Sequence, residues 1–495
     1  MKKLTDFSDA HLRIFERPKV PPPDEIEDVY LIGICGTGMG SLAGLFQEAG
    51  YRVRGSDEAV YPPMSTRLRE MGVTILEGYD AAHLDPAPDL IITGNTSVPT
   101  HPEATYAREQ GLVQQSFPEA LAHFFIRDRR SLVVAGTHGK TTTTGMLVHV
   151  LREAGLDPGF LVGGVMAKDT TSYSVGTGQH FVVEGDEYDT AYFDKRPKFM
   201  HYRPTSAIIT SMEFDHADIY DDWDDYRDAF RVFSGIVSSD GILALNGDDP
   251  EVRALGDHTY ARVRFFGLEG DDDHVTAQEV EAVEGGQRFV LVVDEEALCP
   301  IFLPMSGRHN LLNALAVCTV ALNEGLSSEQ IAKGFASFKG MKRRQEVRGE
   351  VGDVLVVDDF AHHPTAVRAT IQSVQERWPT RRLVAVFEPR SNSSRRKVFE
   401  QPYAEAFDEV DLVFLSAPPF LHSDYVTRFM DVEVVVQGIA DRGIPAAAYA
   451  NADSLLPALR DAVHPGDVVL IMSNGGFGNI HARLLDALAE KPVVQ

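Results

Sequence analysis

The chain has 495 residues, 73 acidic against 46 basic, and a formal net charge of −27. Domains of roughly 100–200 residues make two to four the expectation, and the acidic balance argues against non-specific binding to nucleic acid or an anionic membrane. Three scattered cysteines, Cys35, Cys299 and Cys318, fit neither a disulfide framework nor a zinc site. No apolar stretch approaches the roughly 18 residues of a spanning helix, and no signal-type apolar run follows Lys2-Lys3, so a cytoplasmic protein is expected.

Pro21-Pro22-Pro23 marks a turn ahead of a first strand at 29–34. That strand runs into Gly36-Thr37-Gly38-Met39-Gly40 and an apolar-periodic helix through Leu42, Leu45 and Phe46. A second strand reaches Asp57, and a later one at 90–92 ends in Gly94-Asn95-Thr96-Ser97. Strands alternating with helices predict a parallel α/β sheet. A charged link at 127–130 closes this unit. The next opens with strand 131–135, a Gly-rich loop and a helix through Met146, Leu147 and Val150. Short apolar strands at 181–183, 207–209 and 242–245 follow, then a β-rich stretch and a helix from His309. A third unit starts near Met341, with strands at 354–357, 383–387, 412–415 and 468–471. The expected architecture is three consecutive α/β domains, at 1–128, 129–340 and 341–495.

The loop Gly136-Thr137-His138-Gly139-Lys140-Thr141-Thr142 carries the clearest chemistry. A strand feeding a Gly-rich turn that opens a helix gathers backbone N–H groups where anionic oxygens are favoured. Lys140 adds a positive charge, and Thr141 a hydroxyl able to ligate Mg²⁺. The spacing is shorter than the common pattern, with Val134 where a glycine is usual six before the lysine. Two acidic clusters follow strand ends: Glu184-Gly185-Asp186-Glu187-Tyr188-Asp189, and Glu213 to Asp218 around His216. Hard oxygens with one imidazole suit Mg²⁺; two solvated acidic loops are the bland alternative.

Gly36-x-Gly38 with Asp57 about twenty residues on resembles a dinucleotide fingerprint, but Ser41 stands at the third glycine position. A bound nucleotide-type ligand and a structural turn both remain open there. Asn310 and Asn313 share a helix face and could read an adenine edge, or Asn310 could cap the helix. Asp358-Asp359-x-x-His362-His363-Pro364 ends a strand and opens a helix. Arg390-Ser391-Asn392 and Asn474 lie at strand ends, where the planar fork of Arg390 suits a carboxylate.

In this order, the Gly-Lys-Thr-Thr loop, the Glu184 and His216 clusters, His309-Asn310-x-x-Asn313, Arg344 and Asp358-Asp359 resemble the Mur ligases over nearly the whole chain. The resemblance implies ATP and Mg²⁺ as cofactors, a central P-loop ATPase-type α/β domain at 129–340, and Rossmann-like domains at 1–128 and 341–495. Lys140 and the loop amides would hold the phosphates; Thr141, Glu184 and His216 would face the metal. Asn310 and Asn313 would lie at the adenine, with Arg344 and Asp359 brought to the phosphates and ribose. Gly36, Thr37, Gly38, Met39 and Gly40 would lie under the diphosphate of a UDP-sugar, and Asp57 near the uridine. Arg390, Ser391, Asn392 and Asn474 would meet the incoming peptide. One departure is informative. Several Mur ligases carry a carbamylated lysine where Phe230 stands here. That resembles the branch acting directly on UDP-N-acetylmuramate. Within it, the stretch 184–199, with Lys195-Arg196, and the Arg390 and Asn474 turns look like the members that attach the murein tripeptide L-Ala-γ-D-Glu-meso-diaminopimelate in peptidoglycan recycling. Ligation of L-alanine alone is the nearest alternative, and an NAD(P)-dependent oxidoreductase the alternative from another class. Oligomeric state stays open.

Overall fold

The computed structural model describes residues 3–62, 64–216, 219–270, 274–418 and 429–490. The expected α/β class is borne out, with one principal sheet for each of the three α/β units. The first holds β1 (Asp28–Ile32), β2 (Arg52–Asp57), β3 (Thr74–Glu77), β4 (Leu90–Thr93) and β5 (Gln114–Ser116) in the order β3-β2-β1-β4-β5. All its pairings are parallel. Strand order reverses beside β1, and open α/β sheets bind ligands beyond the strand ends at such a switch point. The helix Thr37–Glu48 starts there.

The central sheet is built on β6 (Arg130–Ala135), β7 (Gly159–Leu161), β8 (Tyr173–Ser174) and β9 (His180–Glu184). After a two-stranded hairpin, β10 (Asp189–Ala191) and β11 (Asp194–Pro197), it resumes with β12 (Ser206–Ile209), β13 (Ile242–Asn246) and β14 (Arg262–Phe266); β15 (Val275–Val283), β16 (Gly286–Val293) and β17 (Glu296–Leu303) follow in the chain. Its order from β14 is β14-β13-β12-β6-β9-β7-β8. Buried on both faces, β6, β9 and β12 read as continuous apolar runs rather than alternating ones.

Two compact units emerge from the chain. One comprises Met1–Gln278, Val290–Ile301 and Leu312–Phe338; the other comprises Glu279–Phe289, Phe302–Leu311 and Lys339–Gln495. In the first, the N-terminal and central sheets share a core. Leu42 and Phe46 belong to the same buried cluster as Tyr173, Phe181 and Phe230. Ser41, the residue that breaks the dinucleotide fingerprint, has a physical role here. Its hydroxyl donates to Thr37 O at 2.9 Å and lies 2.8 Å from Ser172 Oγ. The β10–β11 hairpin sets Ala191, Tyr192 and Phe193 against Tyr30, Ile32 and Ile91 of the first sheet. Arg13 donates to Tyr192 O at 3.1 Å, and Arg17 pairs with Glu119 at 2.8 Å, so the N-terminal segment packs over the same seam.

The second unit carries β18 (Glu346–Val351), β19 (Val354–Asp359), β20 (Arg382–Glu388), β21 (Leu412–Ser416), β22 (Ala446–Tyr449) and β23 (Asp467–Ser473). The order is β18-β19-β23-β20-β21-β22, parallel except for β18. Alternate residues supply two cores: Val357, Ala385 and Leu470 on one face, Val356, Val384 and Val469 on the other. No helix among the described residues is long and apolar enough to cross a membrane.

Candidate active site

The phosphate loop joins the end of β6 to the helix Lys140–Glu153. Two of its glycines are required by geometry. Gly136 stands at φ 126° with Thr210 Oγ1 2.2 Å from where a Cβ would lie, and Gly139 at φ 81° with Asn313 Oδ1 2.5 Å away. The close approach brings Asn313 against the loop. Neighbouring strands hold the turn: Thr137 N donates to Ser211 O at 2.9 Å, and His138 N to Ser211 Oγ at 2.9 Å. Thr137 Oγ1 lies 2.8 Å from Tyr226 OH.

Lys140 curls over this turn. Its ammonium donates to Gly136 O at 2.6 Å and Thr137 O at 3.3 Å, and lies 2.9 Å from both carboxylate oxygens of Glu187. Burial works against its positive charge, but Glu187, with help from Glu184 and Asp186, raises its pKa overall. Thr141 Oγ1 donates to Glu184 Oε1 at 3.0 Å, and Gly163 N to Glu184 Oε2 at 2.7 Å. His216 Nε2 lies 2.9 Å from Glu187 Oε1. Burial lowers the imidazole pKa, yet Glu187 and Asp215 outweigh it and the net shift is upward. Ala217 and Asp218 of that cluster lie outside the described residues.

The structure therefore brings Gly136, Lys140, Thr141, Glu184 and His216 together, as the sequence suggested. It adds Glu187, which sequence reasoning left without a role. A hydroxyl and a carboxylate, Thr141 Oγ1 and Glu184, stand together, and His216 Nδ1 is a buried nitrogen with no hydrogen-bond partner. Hard oxygens with a single imidazole are acceptable to Mg²⁺.

Other predicted residues fall into separate groups. Asn310 donates Nδ2 to Ser306 O at 2.7 Å and is buried, as a helix-start amide would be. In the second unit Asp359 accepts Gln345 N and Ala361 N, each at 2.8 Å, and burial raises its pKa. Arg344 lies over the Phe360 ring, 4.9 Å from its centroid. Burial, aided by Arg344, pushes His309 down to about 4. Glu388 accepts Ser473 Oγ at 2.6 Å, and Arg390 Cδ lies 2.3 Å from where a Cβ on Gly475 would stand. That contact brings the Arg390 turn against the Asn474 turn. Asn474 Oδ1 is buried without a partner. Ser391 Oγ accepts Ser394 N at 3.0 Å, and Asn392 Oδ1 accepts Arg395 Nη2 at 2.9 Å, so both shape their own turn. In the first sheet Gly36 caps the helix carrying Thr37, Gly38, Met39 and Gly40. Asp57 accepts Cys35 N and Ala59 N at 2.8 Å, bracing the turn from below.

The Mur ligase family catalytic-domain model matches residues 28–129, the Mur ligase middle-domain model 134–321, and the Mur ligase glutamate ligase domain model 343–475. The chain belongs to the Mur ligase family. It is 38% identical over 471 residues to the UDP-N-acetylmuramate–L-alanyl-γ-D-glutamyl-meso-2,6-diaminoheptandioate ligase of Haemophilus influenzae, covering 94% of this chain and 100% of that one. It is 34% identical over 462 residues to the UDP-N-acetylmuramate–L-alanine ligase of Desulforapulum autotrophicum, covering 93% of this chain and 98% of that one. A crystal structure of a murein peptide ligase from Psychrobacter arcticus matches with a TM-score of 0.71 at 34% identity, covering 94% of this chain and 100% of that one.

Against other Mur ligases, Phe230 now has a structural account. It is fully buried, with ring centroids 5.4 Å from Phe199 and 5.2 Å from Tyr226. Tyr226 in turn meets Thr137 of the phosphate loop. The position supports the loop through a cluster of edge-on and tilted aromatic rings. Lys195 and Arg196 are ion-paired with Asp189 and Asp194 inside the hairpin. They brace the hairpin.

Proposed function

We propose that this Mur ligase joins the amine of L-Ala-γ-D-Glu-meso-diaminopimelate to the carboxylate of UDP-N-acetylmuramate, with ATP converted to ADP and phosphate. The observation that carries the reading is end-to-end likeness, at 38% identity, to a ligase named for that tripeptide. The site chemistry supports it. The muramyl carboxylate attacks the γ-phosphorus, ADP leaves, and an acyl phosphate forms. The tripeptide amine then adds to the acyl carbon, loses a proton, and expels phosphate. No protein nucleophile enters; the residues position groups and balance charge.

In this reading Lys140 and the loop N–H groups of 137–142 take the β- and γ-phosphates. Thr141, Glu184 and His216 would hold Mg²⁺, which when bound neutralises phosphate oxygens. Asn310 and Asn313 take the adenine, and Arg344 and Asp359 the phosphates and ribose. The Gly36–Gly40 turn and Asp57 serve the UDP-sugar; Arg390, Ser391, Asn392 and Asn474 serve the peptide. We assign these duties to domains 1–128, 129–340 and 341–495, working in the cytoplasm.

The test is ADP release from ATP with UDP-N-acetylmuramate plus either the tripeptide or L-alanine. The tripeptide should give the higher kcat/KM by at least tenfold; a preference for L-alanine overturns the assignment. Lys140→Ala should remove ADP release with either amine.

A further inference from the structure

One buried carboxylate serves two site residues. Glu187 has 0% exposure, and its Oε1 lies 2.9 Å from His216 Nε2. The same carboxylate lies 2.9 Å from Lys140 Nζ. Its main chain is pinned independently, because Tyr220 OH donates to Glu187 O at 2.6 Å. The histidine is also held from other directions. His216 stands at φ 56°, a left-handed backbone that costs roughly 1 kcal/mol or more in a non-glycine residue. The Tyr188 ring packs 4.1 Å from it. With so much holding the ring, its two nitrogens differ sharply. Nε2 faces a carboxylate; Nδ1 is buried with no partner.

An imidazole nitrogen bonded to a carboxylate is kept as N–H, leaving the lone pair on the other nitrogen. We propose that Glu187 is a positioning residue for His216. It fixes the ring and its tautomer so that Nδ1 is presented to the divalent cation accompanying ATP, while the same carboxylate offsets the charge of Lys140. This rests on the MgATP reading of the site given above. Its neighbours in sequence are committed elsewhere: Asp186 pairs with Lys198 at 2.6 Å, and Asp189 with Lys195. Of these three carboxylates, Glu187 is the one in contact with His216.

The test measures Mn²⁺ binding by electron paramagnetic resonance in the presence of a non-hydrolysable ATP analogue, so that turnover plays no part. His216→Asn should weaken Mn²⁺ binding at least tenfold and remove the nitrogen coupling seen in electron spin-echo modulation. Glu187→Gln should weaken it about 10–100-fold, the usual effect of losing a carboxylate behind a ligating histidine. Glu187→Asp should recover part of that loss. Glu187→Gln added to His216→Asn should cause no further loss, because the effect passes through the ring. Mn²⁺ affinity within twofold of the parent in folded Glu187→Gln, with His216→Asn weakened, overturns the proposal and leaves the MgATP reading standing. Unchanged affinity in His216→Asn overturns the MgATP reading itself. If circular dichroism shows Glu187→Gln unfolded, Glu187→Asp decides. Its carboxylate is withdrawn by one methylene, so a several-fold loss is expected and parent-level affinity overturns the proposal.

Discussion

Thr141 donates its hydroxyl to Glu184 Oε1 across 3.0 Å, linking the first turn of the phosphate-loop helix to the end of β9. The other Glu184 oxygen accepts Gly163 N at 2.7 Å. The pair thus has one oxygen fixed by backbone and one shared with a hydroxyl, an arrangement a hard cation can enter. Thr141→Val keeps the shape and removes the hydroxyl. The Mg²⁺ concentration for half-maximal ADP release should rise about tenfold, in line with the loss of one charge-assisted contact. The melting temperature should stay within about 3 °C, as for a change well under 2 kcal/mol in a protein of this size. An unchanged Mg²⁺ titration would remove Thr141 from the site.

Asp359 makes its own case in the second unit. Its two oxygens accept two backbone N–H groups, and Thr370 Oγ1 lies 3.3 Å from Oδ1. Asp359→Ala leaves those donors buried and unpaired, a loss of about 2 kcal/mol. Asp359→Asn keeps one acceptor and should lose about half as much. Chemical denaturation compares the two. In the proposed role near the nucleotide, both should also raise KM for ATP; an unaltered KM with lowered stability would make Asp359 a purely structural brace.

What could be read from the sequence divides along a physical line. The loop from Gly136 to Lys140 was legible because strand, glycines and lysine follow each other in the chain, so spacing carries the geometry. Glu184 was legible because it ends β9, where α/β sheets place ligands. Glu187 was not. Past the end of β9 the chain leaves regular alternation, and no periodicity says which carboxylate among 184–189 turns inward. Only the fold decides that Asp186 and Asp189 meet lysines while Glu187 meets Lys140 and His216. Lys195-Arg196 was legible only as part of a family-like stretch. Their partners Asp189 and Asp194, six and two residues away in the same hairpin, come from the fold. Ser41 is intermediate: the sequence showed the missing glycine, and the structure supplied the Ser172 hydroxyl that explains it.

A pH effect follows from Glu324, which is 1% exposed in its side chain and pairs with Arg130 at 2.6 Å and His180 at 3.1 Å. Burial alone would raise its pKa, but His180, Arg130 and Ser206 bring it from 4.5 down to about 2. A depressed carboxylate adds stability that is fully present above the unfolded value and is lost as pH falls through the folded one. The window here runs from about pH 4.5 down to about pH 2, and the full contribution is about 3 kcal/mol. Glu324→Gln should therefore be less stable than the parent at pH 7. The gap should narrow by about 1 kcal/mol between pH 6 and pH 3.5, read from urea unfolding. A gap that stays constant across that range would show that the ion pair is not its source.

Phe230 offers the sharpest contrast with relatives that carry a carbamylated lysine. Placing a lysine here means putting an ammonium, or a carbamate, among Phe199, Tyr226 and Phe233, all fully buried. Phe230→Lys should destabilise the fold by about 3–5 kcal/mol, the sum of a lost aromatic core contact and an unpaired buried charge. Phe230→Leu, which keeps an apolar side chain, should cost no more than about 2 kcal/mol. Because the Phe230 ring lies beside that of Tyr226, and Tyr226 OH lies 2.8 Å from Thr137 Oγ1, the damage should reach the phosphate loop. Phe230→Lys should bind a fluorescent ADP analogue more weakly even below its unfolding transition. The deciding measurement is activity with and without added bicarbonate. If Phe230→Lys retained parent stability and became bicarbonate-dependent, the aromatic cluster would be dispensable and position 230 would be an open metal-side position. No response to bicarbonate, together with the loss of stability and nucleotide affinity, would make Phe230 the support on which Tyr226 and the loop depend.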